Sequence, residues 1–123
     1  MNSTTAFRIS AGIGFLAVVL GAFGAHGLQP LLLQHGTLQV WEKAALYHLV
    51  HAAVLLFVAA RAPFPKLAWW LFLAGVVIFS GSLYLLAVTG VRWLGAITPI
   101  GGVSLLAGWA MLALKGERDA PKA

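Results

Sequence analysis

Four uncharged stretches, Ile9–Ala25, Ala44–Ala60, Leu67–Val91 and Trp93–Leu114, take up most of this 123-residue chain, and its few charges fall between and beyond them. Crossing a hydrocarbon core of roughly 30 Å takes about 17–25 apolar residues in helical form, and each stretch qualifies. Lipid offers unpaired backbone groups no water, so each must be a helix that satisfies its own N–H and C=O groups. The expected fold is therefore all-α: an integral membrane bundle of four antiparallel transmembrane helices in a single domain covering residues 1–123, with spans near 7–26, 42–61, 67–90 and 93–114. Charged residues make up 9% of the chain, far below the roughly 25% of a soluble domain.

Net charge is +5, yet the basic residues stand singly at helix ends rather than on one face, which excludes a nucleic-acid surface. Their distribution orients the chain. With a cytoplasmic N-terminus, Arg8, Arg61, Lys66, Lys115, Arg118 and Lys122 lie inside, and Lys43 and Arg92 outside. Cytoplasmic loops carry the Lys/Arg excess, so both termini are expected to be cytoplasmic. The first stretch, 17 residues long, exceeds the roughly 7–15 of a cleaved signal core and is expected to remain as a span. There is no cysteine, which removes disulfides, thiolate catalysis and Cys-ligated metal.

Local signals refine the picture. Ala17, Gly21 and Ala25 recur every fourth residue, a stripe suited to close helix approach. Pro30 suits a helix start and Gly36 a helix stop, so a short interfacial helix is expected near Pro30–His35, with Leu31, Leu32 and Leu33 in the outer leaflet. Thr37 is the expected cap of the second span. Trp41, Trp69 and Trp70 are expected at headgroup level. Arg61–Lys66, with two prolines, is a tight turn, and Gly90–Arg92 a minimal one. Pro99, followed by Gly101 and Gly102, is expected to kink or break the fourth span. The tail 115–123 is expected to be disordered.

At about 1.5 Å per residue, the polar side chains of the spans gather toward the outer side, above a plainer inner half. His48 and His51 lie three apart on one face, bordered by Tyr47. With His26, Ser80, Ser82 and Thr98 they form the expected polar cluster, lining an outward-opening cleft, because intramembrane polar groups turn away from lipid; the cluster either binds a ligand or is structural, its histidines hydrogen-bonding between helices.

Longer blocks carry a resemblance. Gly21-Ala-Phe-Gly-Ala-His-Gly-Leu28 and Trp41-Glu-Lys-Ala-Ala-Leu-Tyr-His-Leu-Val-His-Ala52 are followed by Phe79-Ser-Gly-Ser-Leu-Tyr84, Thr89-Gly90 and Leu94-Gly-Ala-Ile-Thr-Pro-Ile-Gly-Gly102. In that order they resemble the YgdD-like, transmembrane-protein-256-like family, labelled domain of unknown function 423. The resemblance implies a small helical inner-membrane protein, bacterial or mitochondrial. It supplies no activity, so no catalytic residue is carried over.

Several functions fit these residues. Haem or metal binding would draw on His26, His48 and His51, although no carboxylate lies within the spans. A quinone, a lipid-like molecule or another small amphiphile would suit a Tyr/His-lined cleft beside a broken helix. Enzymatic activity is not expected, since a hydrolase triad would lack its acid. The preferred expectation is a non-enzymatic accessory or scaffold protein of the bacterial inner membrane, with no catalytic or metal residues and no assigned cofactor. Its expected partners are the lipid bilayer, a second copy of itself or a larger membrane complex, and not nucleic acid.

Overall fold

The structure is a computed structural model and describes residues 1–116; the expectation for the tail lies mostly outside the described residues. Helix α1 runs Ser3–Ala25, α2 Gln29–His35, α3 Leu38–Ala59, α4 Lys66–Thr89 and α5 Thr98–Lys115, with a short 3-10 helix at Arg92–Ala96 leading into α5. The described residues contain no strand. Four helical stretches are long and apolar enough to cross a membrane: α1, α3, α4, and α5 together with its 3-10 lead.

Local chemistry explains the boundaries. Helix α1 begins earlier than its apolar stretch because the Asn2 side chain accepts the Thr5 N–H at 2.8 Å, capping one of the free donors of the first turn. Gly36 closes α2 at φ 67° and Gly90 closes α4 at φ 72°, left-handed conformations that cost glycine little. The interruption expected near Pro99 takes the form of a break. The 3-10 segment ends at Ala96, and Pro99 sits in the first turn of a new helix, where its missing N–H costs nothing.

The helices pack in the order α1–α3–α4–α5, and the backbones of α1 and α5 do not approach each other. Helices α3 and α4 form the centre, with 39% of each span buried against 17% for the outer pair. One apolar cluster, built on Leu55, Val58, Trp69, Phe72 and Leu105, lies toward the end that carries the described termini. A smaller one joins Leu32, Trp41 and Ala87 at the far end.

Several expectations change here. The small-residue stripe of α1 is Ala6, Ser10, Ala17 and Gly24, not Ala17, Gly21 and Ala25. A Cβ at Gly24 would overlap the Trp41 indole, whereas one at Gly21 would meet nothing. Trp41 and Trp69 are buried, each turned into the bundle where its indole N–H finds an acceptor on α1, whereas Trp70 stays exposed. Leu32 is fully buried against Trp41 and Ala87, so of the three leucines only Leu33 is largely exposed. Thr37 does occupy the cap position of α3, but its side chain makes no cap bond there. It reaches α4 instead.

Candidate functional site

The interior polar side chains are joined helix to helix. His48, on α3, stands between α1 and α4. Its Nε2 lies 2.9 Å from the Ile13 carbonyl oxygen and its Nδ1 lies 2.8 Å from the Tyr84 hydroxyl. A carbonyl only accepts, so Nε2 carries the proton and Nδ1 accepts from Tyr84. His51, one turn on, faces another way. Its Nδ1 donates to the Tyr47 carbonyl on its own helix at 2.8 Å. Its Nε2 accepts the Trp109 indole N–H from α5 at 3.1 Å. An indole nitrogen can only donate, so this bond requires a neutral His51.

The other contacts follow the same plan. Ser80 donates to the Ala44 carbonyl at 2.9 Å, joining α4 to α3. Ser82 and Thr98 share a 2.6 Å hydroxyl bond across the α4–α5 boundary. Ser104 donates to the Leu71 carbonyl at 2.7 Å. Trp41 donates to the Leu20 carbonyl at 2.9 Å, and Trp69 donates to Ser10 Oγ at 2.9 Å, whose O–H in turn donates to the Ala6 carbonyl at 2.7 Å. At the far end the Ala87 carbonyl accepts from Thr37 at 2.7 Å and meets His35 Nδ1 at 3.3 Å, tying α2 to α4. Most of these donors use the second lone pair of a helical carbonyl, which the helix ladder leaves free.

The expected cluster is thus divided rather than gathered. His48 belongs to the α1–α3–α4 contact, His51 to α3–α5, and Ser82 with Thr98 to α4–α5. Tyr47 stacks on His51 with ring centroids 6.0 Å apart and leans on Phe79 at 4.7 Å. His26 ends α1 as an exposed cap residue and joins none of these contacts. The expected contrast between a polar outer half and a plain inner half also fails. Ser10 and Trp69 carry an interhelical bond toward the end bearing Arg8 and Lys66, and Ser104 carries one from the middle of its span, so bonding groups run through the whole thickness.

Chemically, the arrangement binds helices together. Among the described residues no buried side-chain nitrogen or oxygen lacks a partner. No group of three His, Cys, Asp or Glu suited to a metal occurs among them. Glu42, their only carboxylate side chain, is exposed on the second turn of α3. The residues that complete the network and were not assigned to it from the sequence are Ser10, Thr37, Trp41, Trp69, Tyr84, Ser104 and Trp109. Tyr84 stood within a family-like block. Trp41 and Trp69 carried a different expectation, as did Thr37, and Trp109 and the serines no distinguishing signal.

Comparison with known proteins places the chain. Residues 20–102 match the family described as "Protein of unknown function (DUF423)". The chain is similar to UPF0382 membrane protein YwdK of Bacillus subtilis (strain 168), 49% identical over 107 residues covering 80% of this chain and 85% of that one. It is similar also to UPF0382 membrane protein SAB0533 of Staphylococcus aureus (strain bovine RF122 / ET3-1), 47% identical over 103 residues, 80% of this chain and 84% of that one. No solved structure matches. A four-span helical membrane protein with these relatives belongs to the DUF423 family.

Proposed function

We propose that this membrane protein is a non-enzymatic accessory subunit whose buried hydrogen bonds hold four helices in one arrangement and leave the outer faces of α1 and α5 to contact other membrane components. The observation that carries this reading is the full mutual engagement of the interior polar groups. A catalytic centre needs a nucleophile, base or acid free to meet substrate, and an orienting partner for it. Both ring nitrogens of His48 and of His51 are bonded within the protein. Each interhelical bond in a membrane contributes about 0.6–1.7 kcal/mol, so a set of them defines a rigid scaffold.

The outer helices have surface to offer. Phe15, Leu16 and Val18 on α1, and Ile100, Val103 and Leu106 on α5, are all strongly exposed. The chain resides in the bacterial inner membrane with both described termini on the cytoplasmic side, a placement supported by Arg8, Arg61, Lys66 and Lys115 standing at one end against Lys43 and Arg92 at the other.

A photo-crosslinking residue placed at Phe15 or Val103 and activated in native membranes tests the subunit role. A discrete protein adduct, identical in independent preparations and lost when the reactive group is moved to the buried Leu55, supports it. Labelling of lipid alone sinks it. A tag following the last residue must be unreachable from outside intact cells; its accessibility would reverse the orientation.

A further inference from the structure

We propose that the end of the molecule carrying the termini holds a binding site for the headgroup of an anionic phospholipid, a site separate from the buried polar network. A cavity of about 380 Å³ opens there between the α3–α4 turn and the last turn of α5. Its wall combines two chemistries. Phe57, Phe64 and Leu112 supply apolar surface, and Arg61, Lys66 and Lys115 supply three cations from three different elements. The Arg61 guanidinium is held over the Phe57 ring, 5.4 Å from its centroid, and is only partly exposed. That contact fixes the position of one charge at the cavity.

Charge complementarity selects the occupant. The only carboxylate side chain among the described residues, Glu42, lies at the opposite end of α3, so nothing described balances the three cations locally. Basic pockets between transmembrane helices take acidic lipid headgroups, and each Lys or Arg near such a surface strengthens the attraction roughly fivefold. The volume lies near the lower limit of about 300–1,000 Å³ typical of small-molecule sites, which fits a headgroup rather than two acyl chains. The chains would lie outside, along Phe57 on α3 and Leu114 on α5, both exposed to lipid. A soluble phosphate would gain nothing from the apolar half of the wall. A lipid uses both halves.

The test equilibrates the full-length protein in detergent micelles with equal amounts of phosphatidylglycerol and phosphatidylcholine, and counts retained lipids by native mass spectrometry. With three such cations, each worth roughly fivefold, the wild-type chain is expected to retain phosphatidylglycerol on the order of a hundredfold more than phosphatidylcholine. Each of Arg61→Gln, Lys66→Gln and Lys115→Gln lowers that ratio roughly fivefold, and the three together bring it to about one. Arg8→Gln removes the same charge at the same end without lining the cavity and leaves the ratio within about twofold. Lys115 is exposed on the last turn of α5, so its single variant carries the test even where the triple variant does not fold.

An equal preference in the wild type overturns the assignment, as does an Arg8→Gln loss matching that of Lys115→Gln, which would reduce the effect to net charge. A preference that emerges only when Glu117 and Asp119 are replaced by amides would identify the chain's own tail as the occupant, and would overturn it too.

Discussion

A single methyl group added at Gly101 is expected to force α4 and α5 apart, and its cost follows from the crossing geometry. A Cβ at this position would lie 2.8 Å from the Phe79 Cα and 2.9 Å from the Phe79 Cβ, with the Phe79 backbone nitrogen closer still. Non-bonded carbons prefer about 3.5–4.0 Å, so the helices would have to separate by roughly 0.8 Å. No rotamer change relieves the contact, because the obstructing atoms are the Phe79 backbone nitrogen and Cα and the Cβ fixed to them. Gly75 and Gly108 also lie on this boundary, against Leu105 and Phe72, and separation would loosen both contacts. Overpacking of this kind costs about 1–3 kcal/mol. The adjacent residue serves as control: at Gly102 an added Cβ would meet only Phe79 Cδ2, at 3.9 Å. Detergent-unfolded membrane helices remain largely helical, so the propensity gain of Gly→Ala mostly cancels in both variants. Gly102→Ala should then stay within about 0.5 kcal/mol of wild type. The assay is unfolding of the micellar protein by sodium dodecyl sulfate, followed by tryptophan fluorescence. Trp69 and Trp109 report directly, since each packs near Phe72 on the affected side. Equal midpoints for Gly101→Ala and Gly102→Ala would refute the close crossing.

Four further outcomes are expected. Ser10→Ala leaves the buried Trp69 N–H without an acceptor and should lower stability by about 1–2 kcal/mol, and adding Trp69→Phe should recover no extra loss from the missing bond. A double-mutant cycle of His51→Phe with Trp109→Phe should yield a coupling near 0.6 kcal/mol and no more than about 1.7; zero coupling would remove that contact. Thr37→Val breaks the bond from the residue that joins α2 to α3 to the Ala87 carbonyl, leaving only the longer His35 contact to hold α2 there, so proteolysis or amide exchange should rise within Gln29–His35 while α3 and α4 remain protected. Because the nitrogens of His48 and His51 are committed to different boundaries, the purified protein should show no Soret absorption, and a Soret band lost on His48→Phe would contradict that commitment.

Much of the architecture is legible in the residues because the membrane imposes one dominant rule. Apolar length marks the spans, Gly36 marks the end of α2 at its left-handed cap, and Pro99 marks the fourth-span interruption through its missing donor. The candidate site was less legible. His48 and His51 are three residues apart, and that spacing alone suggested one shared face. A small angular difference is enough to send two side chains into different helix boundaries, and only the positions of α1 and α5 reveal which. The expected outward cleft failed for the same reason: its members were grouped by depth, and depth says nothing of which helices flank them. Tryptophan is the clearest case. Its amphipathic ring can face lipid headgroups or a neighbouring helix, and Trp41 faces α1 because Gly24 makes room for it.

The sequence by itself determined that this chain lies in a membrane, how many times it crosses, where its helices stop, and to which family its blocks are related. Those properties depend on hydrophobic length, charge placement and backbone chemistry, all of which are local. Only the tertiary structure decided that the polar side chains bind one another across helix boundaries, that Gly24 and Gly101 rather than Gly21 are the points of closest approach, and that Arg61, Lys66 and Lys115 surround one cavity. Each of these depends on the rotation of one helix about its axis relative to its neighbours. That rotation is settled by packing between residues far apart in the chain, which no local pattern encodes.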